Sequence, residues 1–371
     1  MVTTSIDLKA IARDLAPAFS ERAAATDAED RFPVENYEAL KARGVFAAGV
    51  PAELGGGGAS FREIGDFLRE LGHHCSSTAL ALSMHMHQVM IPVWRWRNEG
   101  GAGEPFLRRV AAEKLVLVSS GANDWLESSG TLEKVDGGYR FTGRKAFASG
   151  SPAGDILVTS GVYEDPEKGA TVLHFPVSLH AEGVTVLDNW HTLGMRATGS
   201  NDVIIEGAFI PDAAIAGQRP KGKFGPLHLV AMVALPLVYN VYVGLAERAR
   251  DIAIEKAQRK RDELDVRLNV GEMENQLRTA QIMLEDAMRV SETSRPGPAT
   301  TSEIAIRRLL CGNAAMATVD RAMAVAGGGS FFRGAVLERL FRDVQAARYH
   351  PLQDKRQLEL TSRVALGMEI D

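Results

Sequence analysis

The chain has 371 residues, 45% of them hydrophobic and 24% charged, which suits two or three packed units of ordinary globular composition. Its net charge of −5 is mild, and no Lys/Arg-rich arm points to nucleic acid. Cys75 and Cys311 are its only cysteines; they give no disulfide framework and point to a reducing, cytoplasmic setting.

From about Ile6 to Glu113 the hydrophobic period is helical. Pro33-Val34-Glu35-Asn36 opens a helix carrying Tyr37, Leu40 and Val45, with Gly44 near its end. Pro51 to Gly58 is a glycine-rich turn. Phe61, Ile64, Phe67, Leu68 and Leu71 then recur at three and four, so the next helix buries one face. The first residues lack the basic-then-apolar pattern of a secretion signal. Thr78 to Trp94 is strongly apolar but is interrupted by His85, His87, Gln88 and Pro92, so it reads as a buried helix and not a membrane span.

From about Leu115 to Asp212 the period becomes two. Leu115–Val118, Tyr139–Thr142, Asp155–Val158, Thr171–Phe175, Val184–Val186 and Val203–Ile205 read as short strands, with a tight hairpin at Asp136-Gly137-Gly138. Many short strands at this spacing suggest a small antiparallel barrel or sandwich. From about Leu227 the helical period returns. Met273, Leu277, Ala280, Leu284 and Ala287 form one stripe, Val243–Arg261 and Ile304–Ala326 are two more long helices, and Ser294–Ser302 connects helices. The expected class is α+β: an N-terminal helical domain (1–113), a middle antiparallel β-domain (114–215) and a C-terminal four-helix bundle (216–371).

Several motifs occur in an order that resembles the acyl-CoA dehydrogenase superfamily. They are Phe32-Pro33 through Val50-Pro51-Ala52-Glu53-Leu54-Gly55-Gly56-Gly57-Gly58; Tyr139 through Phe147-Ala148-Ser149-Gly150; Leu193-Gly194-Met195-Arg196-Ala197-Thr198-Gly199-Ser200; and Ala326-Gly327-Gly328-Gly329 with Phe341-Arg342-Asp343. The resemblance spans nearly the whole chain. It implies a non-covalent flavin, FAD with FMN as the other option, and a homotetramer built through the long C-terminal helices. By position in the motifs, Phe147 would stack beside the flavin ring, Ser149 would bond near N5, and Ser119 or Ser120 would face the pyrimidine side. Gly327 and Gly328 would contact the cofactor. Two positions depart from the family pattern: Glu263 replaces an aromatic after Arg259-Lys260-Arg261, and Ala324 replaces a glutamine ahead of the glycines.

Removing an α-proton from an acyl thioester requires a carboxylate within hydrogen-bond reach. Most members of the family place a Glu nine residues after the Arg of the Arg-Asp motif. Here that position is Pro351, preceded by His350, and the alternative position on the first bundle helix is Ala234, followed by Leu235. Glu247 and Glu255 read as solvated positions on an amphipathic helix. A second branch of the superfamily, flavin-dependent monooxygenases supplied with reduced flavin by a partner reductase, resembles the chain in His350, in His85 or His87 with Gln88, and in Phe147-Ala148-Ser149-Gly150. Histidine titrates near ~6.5 and can serve as donor or base.

Each histidine has a second reading. His350 lines the active site or caps the preceding helix. His85 and His87 lie two apart and cannot face the same way, so at most one enters a pocket. His73-His74-Cys75 is a poor tetrahedral set with no second cluster, and the two cysteines read as buried thiols. Three functions follow: an acyl-CoA dehydrogenase-type flavoenzyme acting on an acyl thioester or related molecule with an atypical base (His350, His87), a reduced-flavin monooxygenase, or a non-catalytic binding or assembly protein.

Overall fold

The computed structural model describes residues 6–120 and 124–370. Asp7 accepts the Ala10 amide at 2.9 Å and opens α1 (Leu8–Ala28), which is followed by α2 (Val34–Ala42). Ser60 and Glu63 form a reciprocal capping box at the start of α3 (Phe61–His74). The preceding glycine turn is tight: a Cβ on Gly56 would lie 2.2 Å from the Val50 carbonyl. Next come α4 (Ser76–Asn98) and α5 (Glu104–Glu113). Most of α4 is buried, because it packs against α3 on one side and the first bundle helix and first strand on others.

The strands are β1 (Leu117–Ser119), β2 (Thr131–Val135), β3 (Gly138–Ala148), β4 (Ile156–Asp165), β5 (Gly169–Ser178), β6 (Val184–Val186), β7 (Asn201–Pro211) and β8 (Gly217–Pro220). They form one eight-stranded sheet in the order β6-β7-β3-β2-β4-β5-β8, with β1 beside β4. It is mostly antiparallel as expected, but β1 and β2 each pair with β4 in parallel. Its core gathers Phe141, Leu157, Phe175, Val203 and Ile205, with the Phe141 and Phe175 rings edge to face at 5.0 Å. Sequence reading did not single out β2 and β8. Three of the five β2 residues are exposed, and β8 reads Gly-Gln-Arg-Pro, so neither shows an apolar alternation.

The C-terminal helices are α6 (Leu227–Ala257), α7 (Leu264–Thr293), α8 (Pro298–Ala326), α9 (Val336–Val344) and α10 (Asp354–Ala365). The three long ones pack on each other, α9 and α10 lie against α8, and α3 packs on α6. The stripe on α7 faces inward as expected. Helix α6 begins well before Val243, the start suggested by pattern, because its first half is apolar on every side and so shows no stripe. Its apolar window is 94% buried, which makes it a core helix. Pro236 sits inside it, and Asn240 Nδ2 donates to the Pro236 carbonyl at 2.9 Å. The order of helices, mostly antiparallel sheet and helices is the one the sequence implied.

Candidate functional site

Three parts of the fold are tied together at the Arg342-Asp343 pair. Arg342 donates to both oxygens of Asp27 on α1, at 3.0 and 2.6 Å, and to Glu338. Asp343 is buried; its carboxylate accepts from Ser76 Oγ on α4 and from the Met195 amide, each at 2.5 Å. Burial pushes this carboxyl up, while the two bonds act the other way. The backbones approach so closely that a Cβ on Gly194 would sit 2.2 Å from the Arg342 carbonyl. The motif therefore fastens the Leu193–Ser200 segment to both the N-terminal helices and α9.

That segment borders the position of Phe147. The β3–β7 register slips between Lys145 and Ala148, and Phe147 adopts φ +58. A phenylalanine held in the left-handed region at a bulge is strained and re-aimed. The residue is 47% exposed, and its ring meets Trp190 edge to face at 5.7 Å. Trp190 Nε1 in turn donates to the Met195 carbonyl at 3.0 Å. Two residues on, Ser149 Oγ, Ser200 Oγ and Thr198 Oγ1 form a buried hydroxyl chain with spacings of 2.7 and 2.6 Å. Ser119 is buried at the end of β1, and Ser120 Oγ bonds to Thr159 Oγ1 at 2.9 Å. Beneath β3, buried Lys145 pairs with Asp124 at 2.9 Å and donates to the Ser129 and Ser160 carbonyls.

A second polar group lies against the bundle. His350 Nε2 is 2.5 Å from Tyr242 Oη on α6. Arg308 on α8 donates to the His350 carbonyl at 2.6 Å and to the Ala347 carbonyl at 3.0 Å, and Tyr239 Oη donates to the same Ala347 carbonyl at 2.7 Å. Burial, then the Arg308 cation, then His87 push the half-buried His350 down to about 3, so its imidazole is neutral. Burial raises both phenols, leaving them protonated. No carboxylate stands among the groups acting on His350.

His85 and His87 part as their spacing requires. His85 is fully buried; its Nε2 bonds to the Phe46 carbonyl at 2.7 Å, and its Nδ1 accepts the Leu117 amide at 2.9 Å. It joins α4 to the chain before α3 and to the edge of β1. His87 bonds through Nδ1 to the Ser83 carbonyl at 3.2 Å and through Nε2 to Gln88 Nε2 at 3.1 Å. Burial pushes each down to about 4. His87 is the one within electrostatic reach of His350.

Other candidates lie elsewhere. Gly327 ends α8, and Gly328 and Gly329 are exposed; they make no hydrogen bond to the Phe147 or His350 groups. Ala234 is buried on α6. Glu255 is exposed as expected, but Glu247 is not simply solvated: Arg69 clamps it and Gln281 bonds to it. His73 pairs with Asp251 and His74 with Glu70; no metal-holding group occurs among the described residues. Both thiols are buried. Arg259, Lys260 and Arg261 are exposed. Sequence reasoning missed Tyr242, Arg308, Trp190 and Ser200. A signal existed for Arg308, which falls on the buried stripe of α8 with Ile304, Ala305 and Cys311.

The chain matches the acyl-CoA dehydrogenase N-terminal domain over residues 6–112 and the C-terminal domain over residues 238–355. It is 28% identical to amino sugar nitrososynthase DnmZ of Streptomyces peucetius, over 95% of this chain and 91% of that protein. It is 27% identical to the putative acyl-CoA dehydrogenase YdbM of Bacillus subtilis, over 92% and 91%. Among solved structures, KijD3 in complex with FMN and dTDP-3-amino-2,3,6-trideoxy-4-keto-3-methyl-D-glucose superposes with a TM-score of 0.87 at 28% identity, over 98% of this chain and 94% of that one. The nitrososynthase of Micromonospora carbonacea var. africana gives 0.87 at 26%, over 98% and 96%. With both terminal family domains matched in order around the sheet, the chain belongs to the acyl-CoA dehydrogenase family of flavin-dependent oxidoreductases.

Proposed function

We propose that the chain is an oxygenase of this family, which takes reduced flavin from a separate reductase and oxygenates a small organic substrate, and does not dehydrogenate an acyl-CoA. The observation that carries the reading is what surrounds the His350 ring: a neutral imidazole beside two protonated phenols and a guanidinium, with no carboxylate among the described residues acting on the imidazole, since Asp354 stands by Arg308 at 3.8 Å. Proton abstraction from carbon needs a base there; oxygen transfer needs positioned donors and a dry enclosure. The similarity to nitrososynthases and to a Rhodococcus pigment production hydroxylase at 28% identity supports it.

The residues present suit a flavin. A flat ring needs an aromatic wall and short polar groups near its heteroatoms. The re-aimed, half-exposed Phe147 provides the first, and Ser149, in its chain with Ser200 and Thr198, provides the second. Ser119 and Ser120 would flank the pyrimidine side, and Gly327 and Gly328 would meet the cofactor through backbone. When bound, reduced flavin would supply the electrons that activate oxygen. His350 and His87 would donate and orient, and the Asp343 clamp would hold the flavin wall against α4. The cofactor would be FMN, as in the KijD3 complex, or FAD. The division at about residues 113 and 215, with β8 joined to the sheet, and a homotetramer that covers exposed Leu264, Leu268 and Ile282 of α7, belong to the same reading.

The test supplies purified protein with FMN or FAD and a generic flavin reductase. Oxygen-dependent conversion of amine, phenol or sulfide probes is expected, and it should fall by about a hundredfold or more in His350→Ala. Bleaching of bound flavin by an acyl-CoA under anaerobic conditions would instead establish the dehydrogenase reading and overturn this one.

A further inference from the structure

We infer that Tyr242 is a positioning residue that fixes the tautomer of His350, leaving the ring proton on Nδ1 as the donor offered to the site. The inference deepens the proposed function and rests on its placement of His350. Tyr242 is fully buried on α6. A buried phenol has one proton and must find an acceptor for it. Among the described residues its hydroxyl has one hydrogen-bond partner, His350 Nε2 at 2.5 Å. If Nε2 carried the proton and donated instead, the phenol hydrogen would be sealed in with no acceptor. The phenol therefore donates, Nε2 accepts, and the neutral ring is protonated at Nδ1.

The surroundings favour the same state from each side. On α8, Arg308 holds the His350 and Ala347 carbonyls and keeps a fixed cation beside the ring. Its own acid, Asp354 of α10, stands 3.8 Å from the guanidinium and is half-exposed. On α6, Tyr239 meets the His350 ring edge to face with centroids 6.2 Å apart, and its hydroxyl proton is committed to the Ala347 carbonyl. On α4, His87 is neutral and engaged at both nitrogens, by Ser83 and by Gln88. The backbone of His350 is thus set by Arg308 and its ring by Tyr242. His350 Nδ1 has no partner among the described residues, and it is not among the sealed, unsatisfied atoms. It is the one ring N–H of the two histidines that is free to meet a ligand.

A direct readout does not need turnover. Full-length protein labelled with [15N]histidine would be examined by proton–nitrogen multiple-bond spectra near neutral pH, with His350 assigned by its loss in His350→Asn. The expected result is one neutral tautomer with Nδ1 protonated and Nε2 bare, giving way to averaged nitrogens in Tyr242→Phe. A wild-type ring protonated at Nε2, or one already averaging, overturns the inference even if the variant fails to fold. The kinetic arm uses substitutions that mimic one nitrogen each. The Asn amide reaches roughly where Nδ1 lies and the Gln amide where Nε2 lies, so His350→Asn should retain about tenfold more kcat than His350→Gln. Tyr242→Phe should lower kcat about tenfold with KM within about twofold, since wrong tautomers leave binding intact. Equal activity of the Asn and Gln variants, or an unaltered Tyr242→Phe, would refute the positioning role. Absence of oxygen-dependent turnover in wild type would refute the proposed function instead, and the tautomer would still be read from the spectra.

Discussion

His85 and His87 are two residues apart on one helix, both buried and both held neutral, yet replacing them with leucine should have opposite consequences. His85 serves two backbone groups from other parts of the chain, the Phe46 carbonyl at 2.7 Å and the Leu117 amide at 2.9 Å. Neither has another backbone partner outside regular structure. His85→Leu strands both inside the core, and each lost partner costs roughly 1–3 kcal/mol, so the variant should lose roughly 2–6 kcal/mol. His87 serves only the Ser83 carbonyl four residues back on its own helix and the side chain of partly buried Gln88. That carbonyl remains in the helical ladder after His87→Leu, so the cost should stay under about 1 kcal/mol. Urea unfolding monitored by far-UV circular dichroism measures both. Activity should sort the other way, with His87→Leu folded but impaired in the reduced-flavin assay. A His85→Leu protein as stable as wild type, or a His87→Leu protein equally damaged, would refute the division of roles.

The same two rings set an acid sensitivity. Each titrates near ~6.5 unfolded and at about 4 folded. Between those values the unfolded chain binds more protons, so stability is full above pH ~6.5, falls as pH drops by about 1.4 kcal/mol per unit per histidine, and levels off below the folded value. His350, held at about 3, and His174, at about 4, add slope of the same sign, so in urea titrations from pH 7 to 4 His87→Leu should remove about a quarter of the histidine slope. Phe147→Gly should leave unfolding stability within about 1 kcal/mol of wild type, because relief of the left-handed φ offsets lost contact and added chain entropy. Flavin affinity, followed by fluorescence quenching, should fall about tenfold or more. Lys145→Met removes the cation paired with buried Asp124, leaving that side chain only the Ser129 and Thr159 hydroxyls, and should cost roughly 3–5 kcal/mol by calorimetry; adding Asp124→Asn should restore part of it.

What was legible followed physical periodicity. The α7 stripe from Met273 to Ala287 could be read because one face of that helix is buried and the other solvated. The start of α6 could not, since residues buried all round carry no phase. β8 escaped because its pairing with β5 is a backbone matter that Gly217-Gln218-Arg219-Pro220 does not advertise. At the site, Phe147 and Ser149 were visible as motif positions, but the register slip and the positive φ that re-aim the ring belong to the pairing of β3 with β7. Tyr242 stands 108 residues from His350 in sequence. No local pattern joins them; the contact exists because α6 and the segment after α9 pack together.

The packing also decides what His350 can do. Standing one residue before Pro351, which occupies the family carboxylate position, a histidine invites the reading of a substitute base, and a free imidazole near ~6.5 would be stronger than a free glutamate near ~4.3. This one is pushed down to about 3 by burial, Arg308 and His87, which makes it a weaker base than a free glutamate. The environment that disables it as a base suits it as a donor, because the ring stays neutral and keeps its N–H at every working pH. The two roles separate in a pH–rate profile. A substitute base with an ordinary histidine value would switch turnover on with an inflection near ~6.5. A neutral donor gives no such inflection between about pH 5 and 8. Removing the Arg308 cation, as in Arg308→Met, should raise the His350 value only in part, because burial is the larger cause and remains; a wild-type profile that bends between about pH 5 and 8 would refute the donor role.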